Sequence, residues 1–401
     1  MPYLARRSAA SLLLLLVALS ASACNDPAGL PGQPSASPRV VMLASAFDQA
    51  CALTDSHEVW CWGHGFYGEA SDTTVHRKAV PEPLVSLHGA SGIFGGQFCG
   101  QTASGTVYCW GVLLESDVGA SYGDGVTPVR MGDFLPGVLA TGSGHACALA
   151  ADSTAQCWGS YVSGKRGVTG PYPLSNTGLA AFTDFTVKPV QGGEQFVALA
   201  AGGESTCGIR PDRTLACWGD SSGVGTPGTE YLHDDETCFL AAACIPSPVM
   251  VRSFSGVYAV AASGVQTCIL GSAGLFCWGG NWAGQLGSAD LGAGALPVAV
   301  TLPETPVAVT VGAYHTCALS FRGTAWCWGD NSYGALGVGR SGGILGPSRV
   351  RFDEPFASIS AGGGLTCGLT LAGAVYCWGV TLGPNGWEAD PEIRRIRIPL
   401  T

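Results

Sequence analysis

The chain has 401 residues, of which 47% are hydrophobic and only 12% charged, with 60 glycines and 24 prolines. That charged share is about half the globular norm, while Gly and Pro stay below the level of low-complexity disorder, so a folded, turn-rich chain is expected and a disordered one is excluded. Against 29 Asp and Glu stand 19 Lys and Arg, a formal charge of −10; without Arg6 and Arg7 the balance is 17 to 29, or −12, a surface that repels phosphate backbones and removes nucleic acid from the expected partners.

Residues 1–23 are read as an export signal: Arg6 and Arg7 precede the apolar run "AASLLLLLVALS", which is too short to span a bilayer, and small residues follow. The stretch "ASAC" resembles the bacterial lipobox, with Ala21 where that pattern more often has Leu, which makes Cys24 the lipid attachment site. A plain secretory signal, or a twin-arginine signal from Arg6 and Arg7, is the alternative. Residues 24–38, "CNDPAGLPGQPSASP", form a Pro, Gly and Ser tether with no apolar periodicity, and residues 39–401 are expected to be a single folded domain.

From there one phrase recurs seven times. It begins as "CALTDSHEVWCWG" at Cys51 and returns at Cys99, Cys147, Cys207, Cys268, Cys317 and Cys367. The second cysteines stand at Cys61, Cys109, Cys157, Cys217, Cys277, Cys327 and Cys377, in steps of 48, 48, 60, 60, 50 and 50, the period of a propeller blade. Ten residues of α-helix would part the two cysteines by about 15 Å, beyond disulfide reach. A β-hairpin sets an even separation on one sheet face, and "TASG", "SFRG" and "TLAG" offer glycine where a tight turn wants positive φ. A disulfide within each hairpin is therefore expected, with a turn one residue shorter between Cys268 and Cys277, which are nine apart. Of 17 cysteines, Cys24 takes the lipid, the hairpins take fourteen, and Cys238 and Cys244 are left to close a small loop. Zinc, the competing reading, wants cysteines two to four apart in pairs, a spacing that is absent.

Before each hairpin lies an apolar run ending in small residues, as in "VAVTVGAYHTC", and before that a strand introduced by Pro, as in "LPVAV". Four strands per unit follow. The first copy lacks the Pro strand, and "IRRIRIPL" follows the last hairpin as a surplus strand, so the C-terminal strand is expected to complete the sheet opened by "VVMLASAF" and close the ring from both chain ends. The fold class is all-β: a seven-bladed propeller of four-stranded antiparallel blades.

These repeats, together with "GGNWAGQLG" from Gly279, "GDNSYGALG" from Gly329 and the weaker "GHGFYGEAS" from Gly63, resemble the regulator of chromosome condensation repeat superfamily in its bacterial exported, lipoprotein form, over residues 39–401. Only the first two of these loop phrases keep the pattern well. The founder of that family exchanges nucleotide on a small GTPase and binds chromatin, and an exported acidic chain meets neither partner. A secreted bacterial relative, the β-lactamase inhibitor protein of type II, grips an enzyme through one propeller face, so the resemblance implies loops presented for contact.

Catalysis finds little support. "GDSSG" from Gly219 and "GRSGG" from Gly339 fit G-x-S-x-G, which carries meaning only on a strand-to-helix turn. His145 and His315 stand two before the first cysteine of their repeats, where other copies have Gln49, Gln97, Ser205, Gln266 and Leu365, a structural slot; His57, His64, His76, His88 and His233 are scattered. "HDDE" from His233 reads as a solvated acidic loop rather than a cation site. No catalytic residue, metal or cofactor is assigned. The repeat tryptophans Trp62, Trp110, Trp158, Trp218, Trp278, Trp328 and Trp378 are expected to pack between blades. Aromatics outside that register, Tyr67, Tyr122, Tyr161, Trp282, Tyr333 and Trp387, are the partner-binding candidates, with Tyr172 and Tyr231 in the longer insertions near 160–190 and 220–247. The reading is a monomeric, membrane-anchored lipoprotein of the bacterial cell envelope that binds a protein, with a glycan as the second ligand class. A hydrolase or lyase on the same scaffold, and a structural envelope component without a discrete partner, are the alternatives.

Overall fold

Neighbouring residues of a strand point to opposite sheet faces, so a "CW" dipeptide sends its sulfur one way and its indole the other. That alternation organises the molecule. The computed structural model describes residues 38–399 except 47–48, 65–76, 85–86, 88, 96–97, 111–127, 161, 169–182, 226–243, 252–253, 265, 289–293 and 384–385. Pro38–Thr401 forms one compact unit of seven antiparallel four-stranded sheets, each built from consecutive strands. Blade 1 comprises Val40–Ala46, Gln49–Thr54, Val59–His64 and Arg77–Pro83, and blade 7 comprises Phe356–Ala361, Leu365–Thr370, Val375–Gly383 and Gly386–Ile396. The first strands of all seven blades line a central cavity of about 310 Å³.

The second and third strands carry the cysteines directly opposite one another, as with Cys317 and Cys327, whose Cα atoms are 4.1 Å apart. Disulfides join Cys51–Cys61, Cys99–Cys109, Cys147–Cys157, Cys207–Cys217, Cys268–Cys277, Cys317–Cys327 and Cys367–Cys377. The nine-residue spacing closes as expected, with Gly271 paired to Gly274 across a turn shorter than the others. Elsewhere the turn ends on a residue of positive φ: Gly105, Gly323 and Gly373, or His57, Ser153 and Arg213 without glycine. Cys244 is buried and disulfide-bonded; Cys238 lies outside the described residues, as do Cys24 and the segments 1–23 and 24–37. Seven disulfides point to an exported or extracellular chain. No helix among the described residues is long and apolar enough to cross a membrane.

Each cystine faces the next blade and each indole the previous one. Trp378 of blade 7 packs with Cys317 and Cys327 of blade 6, Trp328 of blade 6 with Cys268 and Cys277 of blade 5, and so on around the ring. The glycine of "CWG" sits at a register shift in the third strand with φ near +105°, for example +106° at Gly329, where a methyl group would meet the Tyr314 carbonyl oxygen at 2.6 Å. No other residue fits that bend without strain.

The expected closure by a shared blade is not what the chain does. Gly386–Ile396, which contains the first half of the presumed surplus strand, pairs with Val375–Gly383 of its own blade, and Val40–Ala46 pairs only with Gln49–Thr54. The Pro strand follows its hairpin as the outer strand of the same blade; it does not open the next one. With only two residues between Gly383 and Gly386, the last strand pairs along its neighbour in blade 7, and it meets blade 1 through side-chain packing of Ile396 and Ile398 near Val40 and not through a strand ladder. Outer position also explains the prolines, since Pro81, Pro248, Pro297, Pro347 and Pro391 lie where a ladder hydrogen bond is not required and where edge pairing with other chains must be prevented. The ring closes by packing: Trp62 of blade 1 joins Cys367 and Cys377 of blade 7 in the same arrangement as the other junctions.

Candidate functional site

Because each blade is a simple meander, the turns between first and second strands and the loops after "CWG" share one face of the ring, while the hairpin turns and blade-to-blade connections share the other. These are termed the loop face and the turn face. The loops after "CWG" are built by asparagine. Asn331 Oδ1 accepts the Leu336 N–H at 3.2 Å while its Nδ2 donates to the Arg340 carbonyl at 2.8 Å, and Asn281 does the same toward Leu286 at 2.8 Å and Ser288 Oγ at 3.0 Å. A side-chain amide that satisfies both sides of a loop fixes its curvature without help from a sheet.

The loops then lock the next blade. The Gln285 carbonyl of blade 5 accepts from both Trp328 Nε1 at 2.8 Å and Thr316 Oγ1 at 2.9 Å of blade 6, and the Ala335 carbonyl of blade 6 accepts from Trp378 Nε1 and Thr366 Oγ1 of blade 7, each at 2.8 Å. The position two before the first cysteine completes this junction: His315 Nε2 meets Thr366 Oγ1 at 2.8 Å, Gln266 Nε2 meets Thr316 Oγ1 at 2.6 Å, and His145 Nε2 meets Thr206 Oγ1 at 2.6 Å. Since each of these hydroxyls donates its proton to a carbonyl, it accepts from the imidazole, which fixes His145 and His315 as neutral Nε2–H tautomers. Burial holds both well below the ordinary histidine range, His315 at about 4 with Asp330 opposing the shift, and His145 with Lys165 and Arg166 adding to it. These histidines are joints between blades.

Two further loops follow the same plan although their sequences conceal it. In residues 159–167 of blade 3, the Lys165 carbonyl takes the place of Gln285 and accepts from Thr206 Oγ1 at 2.8 Å; in 219–225 of blade 4, the Gly223 carbonyl accepts from Trp278 Nε1 at 2.9 Å. The side chains of Lys165 and Arg166 are buried. Lys165 Nζ donates to the Gly203 carbonyl at 2.9 Å and lies 3.6 Å from Glu204, while Arg166 donates to the Gly159 and Asp184 carbonyls, so these cations are absorbed by structure. The blade 4 loop contains "GDSSG", and Ser221 does open a single helical turn, Ser221–Val224, but no histidine hydrogen-bonds it among the described residues. "GRSGG" lies in the coil after Asp330. "HDDE" lies outside the described residues. No titratable side chain lines the central cavity among the described residues.

What the loop face presents instead is aromatic. Trp282 is 53% exposed and Tyr333 is 42% exposed, in the corresponding loops of blades 5 and 6. Tyr314, 50% exposed in the first turn of blade 6, joins them. A methyl group on Gly329 would lie 2.6 Å from the Tyr314 carbonyl oxygen and 3.3 Å from Gln285 Cα, so the Trp282 loop, the Tyr314 turn and the start of the Tyr333 loop meet there. Tyr333 leans toward blade 7, its ring 3.4 Å from where a methyl on Gly364 would stand. Tyr314 was missing from the sequence-derived candidates; its signal is an aromatic residue where the other copies have Gly144, Glu204, Val265 or Gly364. Tyr67, Tyr122, Tyr161, Tyr172 and Tyr231 lie outside the described residues, as does the side chain of Trp387, whose backbone pairs with Leu382. The repeat tryptophans are buried, Trp158, Trp218, Trp278 and Trp328 completely.

Comparison with known proteins agrees with this architecture. The family described as Regulator of chromosome condensation (RCC1) repeat matches residues 272–319 and 322–369, and a second pattern for the same repeat matches 307–335. No curated protein matches the chain by sequence. Among solved structures, Prp20p from Saccharomyces cerevisiae is similar at 20% identity over 81% of this chain and 80% of its own, with a TM-score of 0.64. Yeast RCC1 (Prp20) in its complex with Kap60 gives 20% identity, 81% and 78% coverage and a TM-score of 0.63. Human WBSCR16 gives 20% identity, 81% and 85% coverage and a TM-score of 0.61. At that identity the likeness speaks for the fold. Residues 272–369 are thus similar to the regulator of chromosome condensation repeat, and the seven blades share the propeller fold of these solved structures.

Proposed function

We propose that the protein is an exported, lipid-anchored propeller that binds a protein partner through its loop face, at Trp282, Tyr314 and Tyr333. The observation that carries this reading is the exposure of these three rings on converging loops of blades 5 and 6, while the repeat-register indoles are withdrawn into the junctions. Exposed aromatics on rigid loops are the usual anchors of protein interfaces, because they bury much area at small cost in side-chain entropy. The loops that bear Trp282 and Tyr333 are held in place, since the Gln285 and Ala335 carbonyls of the same loops accept from the next blade. Prp20p, similar in fold, is described by its binding to Gsp1p and histones, and yeast RCC1 by its complex with Kap60; a protein ligand for this ring is in keeping with that use. Export, cleavage after residue 23 and lipid on Cys24 supply the setting, an oxidising cell envelope in which the seven cystines persist. A hydrolase would need an acid and a base converging in a pocket, and the described residues that line the central cavity include neither.

Affinity capture from detergent-solubilised envelopes tests the proposal. The full chain is expected to recover one stoichiometric partner, and Trp282→Ala, Tyr314→Ala and Tyr333→Ala each to reduce its recovery about tenfold or more, as loss of an interface anchor does. Leu371→Ala on the turn face serves as the control. Unchanged recovery with all three loop-face variants would remove this surface as the binding site.

A further inference from the structure

The turn face carries a second feature that protein binding at the loop face does not use. The first residue of each hairpin turn points away from the ring, and the series around the blades reads Asp55, Ala103, Ala151, Pro211, Ser272, Phe321 and Leu371. Only blades 6 and 7 place large apolar side chains there, Phe321 at 62% and Leu371 at 72% exposure. Exposed apolar residues also begin the first strands of blades 1, 4, 5 and 6, at Val41, Val197, Tyr258 and Val307, so it is the hairpin tips that set blades 6 and 7 apart. The Arg322 guanidinium lies 5.2 Å from the centre of the Phe321 ring, a charged neighbour that leaves the ring largely exposed. Single exposed apolar side chains are ordinary, but two large ones on the tips of adjacent blades make a local apolar surface.

The same place is where the chain enters the propeller. Arg39 is pinned to the blade 1 turn by reciprocal hydrogen bonds, its N–H donating to Asp55 Oδ1 at 2.9 Å and its carbonyl accepting from the Asp55 N–H at 2.9 Å. It also borders the blade 7 turn, for a methyl on Gly373 would lie 3.9 Å from Arg39 Cβ. The entry point is thus beside Leu371, two residues from Gly373. Between Cys24 and Arg39 stand 14 residues, so the root of the propeller is held within about 50 Å of the lipid even at full extension. At that tether length an apolar tip meets the bilayer at an effective concentration far above that of a free protein.

We infer that the turn face at blades 6, 7 and 1 seats on the lipid bilayer that anchors the chain, with Leu371 and Phe321 inserted at the boundary between headgroups and acyl chains. This rests on the anchored reading of Cys24. The exposed Arg39, Arg322 and Arg397 flank the tips and suit phosphate headgroups, but the exposed Asp55 and Glu58 of the blade 1 turn and Asp353 and Glu354 of the blade 6 to 7 connection offset them, so insertion is driven by apolar area at blades 6 and 7. The orientation turns the loop face, with Trp282, Tyr314 and Tyr333, away from the membrane and toward a partner.

The test uses the full lipidated protein in vesicles of phosphatidylethanolamine and phosphatidylglycerol whose acyl chains carry bromine, a short-range quencher of indole fluorescence. Leu371→Trp and Phe321→Trp add a reporter at each tip; Ala151→Trp adds one to the blade 3 turn, and the wild-type chain, with Trp282 on the far face, sets the baseline. Expected is at least twofold quenching of the added fluorescence at positions 371 and 321, less at 151, and none beyond baseline in the wild type. Vesicle flotation and the mass of the N-terminal peptide are read first. A chain that neither floats nor carries diacylglycerol overturns the anchored reading and this inference with it. A chain that floats but whose two tip reporters are quenched no more than baseline overturns the seating alone.

Discussion

At the scale of single residues, the buried histidines connect protonation to stability. His315 holds its proton only below about 4, whereas an unfolded imidazole titrates near 6.5. Between those values the unfolded chain binds more protons than the folded one, so stability is complete above pH 6.5 and declines as pH falls toward 4, by on the order of 3 kcal/mol for this one group. His145, also held low by burial, adds loss in the same direction. Gln266 fills the same slot in blade 5 and reaches Thr316 from its Nε2, which makes glutamine the natural non-titrating replacement. His145→Gln with His315→Gln is therefore expected to leave stability at pH 7 within about 1 kcal/mol of the wild type and to flatten the decline between pH 6.5 and 4. Urea unfolding at several pH values checks this, and a double variant with the wild-type pH profile would place the titration elsewhere. That the two histidines are structural was legible in the sequence, because Gln, Ser and Leu share their position. Their partners were not, because Thr206 and Thr366 stand 61 and 51 residues away, each in the following blade.

At the scale of the blade, the hairpin disulfide and the Pro strand differ in how far the sequence reveals them. Two cysteines nine or ten apart around a short turn define a cross-strand bridge through local geometry alone, and every described hairpin forms it. Closing about ten residues should stabilise by roughly 2.7 kcal/mol through the unfolded chain. Replacing the pair with Cys317→Ala and Cys327→Ala should then cost about 2–4 kcal/mol, the upper part coming from the cavity left against Trp378. Denaturant midpoints of the oxidised proteins measure it, and an unchanged midpoint would mean that the junction with blade 7 alone holds the hairpin. The Pro strand was found as an element but assigned to the wrong blade. A repeating series has no intrinsic starting point, so the order "Pro strand, apolar run, hairpin" and the order "apolar run, hairpin, Pro strand" fit the same text. What decides between them is the pairing of the outer strand with the "CWG" strand, as in Cys61 opposite Glu82 and Cys377 opposite Arg394. The loops after "CWG" keep one phrase in two blades and differ in the others, because a backbone carbonyl performs the junction and Lys165 or Gly223 supplies one as well as Gln285.

At the scale of the whole molecule, six junctions are bridged by the chain passing from one blade to the next, and the seventh, between blades 7 and 1, has no such chain connection. Its residues are the same in kind: Trp62 against Cys367 and Cys377, with Val40, Leu365 and Leu369 around them. Its energetics are not, because opening this junction frees two chain ends while opening any other leaves the blades linked by a short connection. The closing junction should accordingly be where the ring opens first. Trp62→Ala and Trp218→Ala remove equivalent side chains and should each cost about 3–5 kcal/mol in global stability. Their local consequences should differ. In Trp62→Ala, amide exchange in Gln49–Thr54 and Leu365–Thr370 is expected to rise about a hundredfold or more while Ser205–Ile209 stays protected, since a loss of about 3 kcal/mol confined to one junction is about two powers of ten in opening. In Trp218→Ala the blade 3 to 4 junction remains tethered on both sides, so exchange should spread over the whole ring through global unfolding and not open one seam. Hydrogen exchange read by mass spectrometry distinguishes the two patterns. Equal, ring-wide loss of protection in both variants would show that the ring opens as a unit and that covalent connection between blades adds nothing to packing.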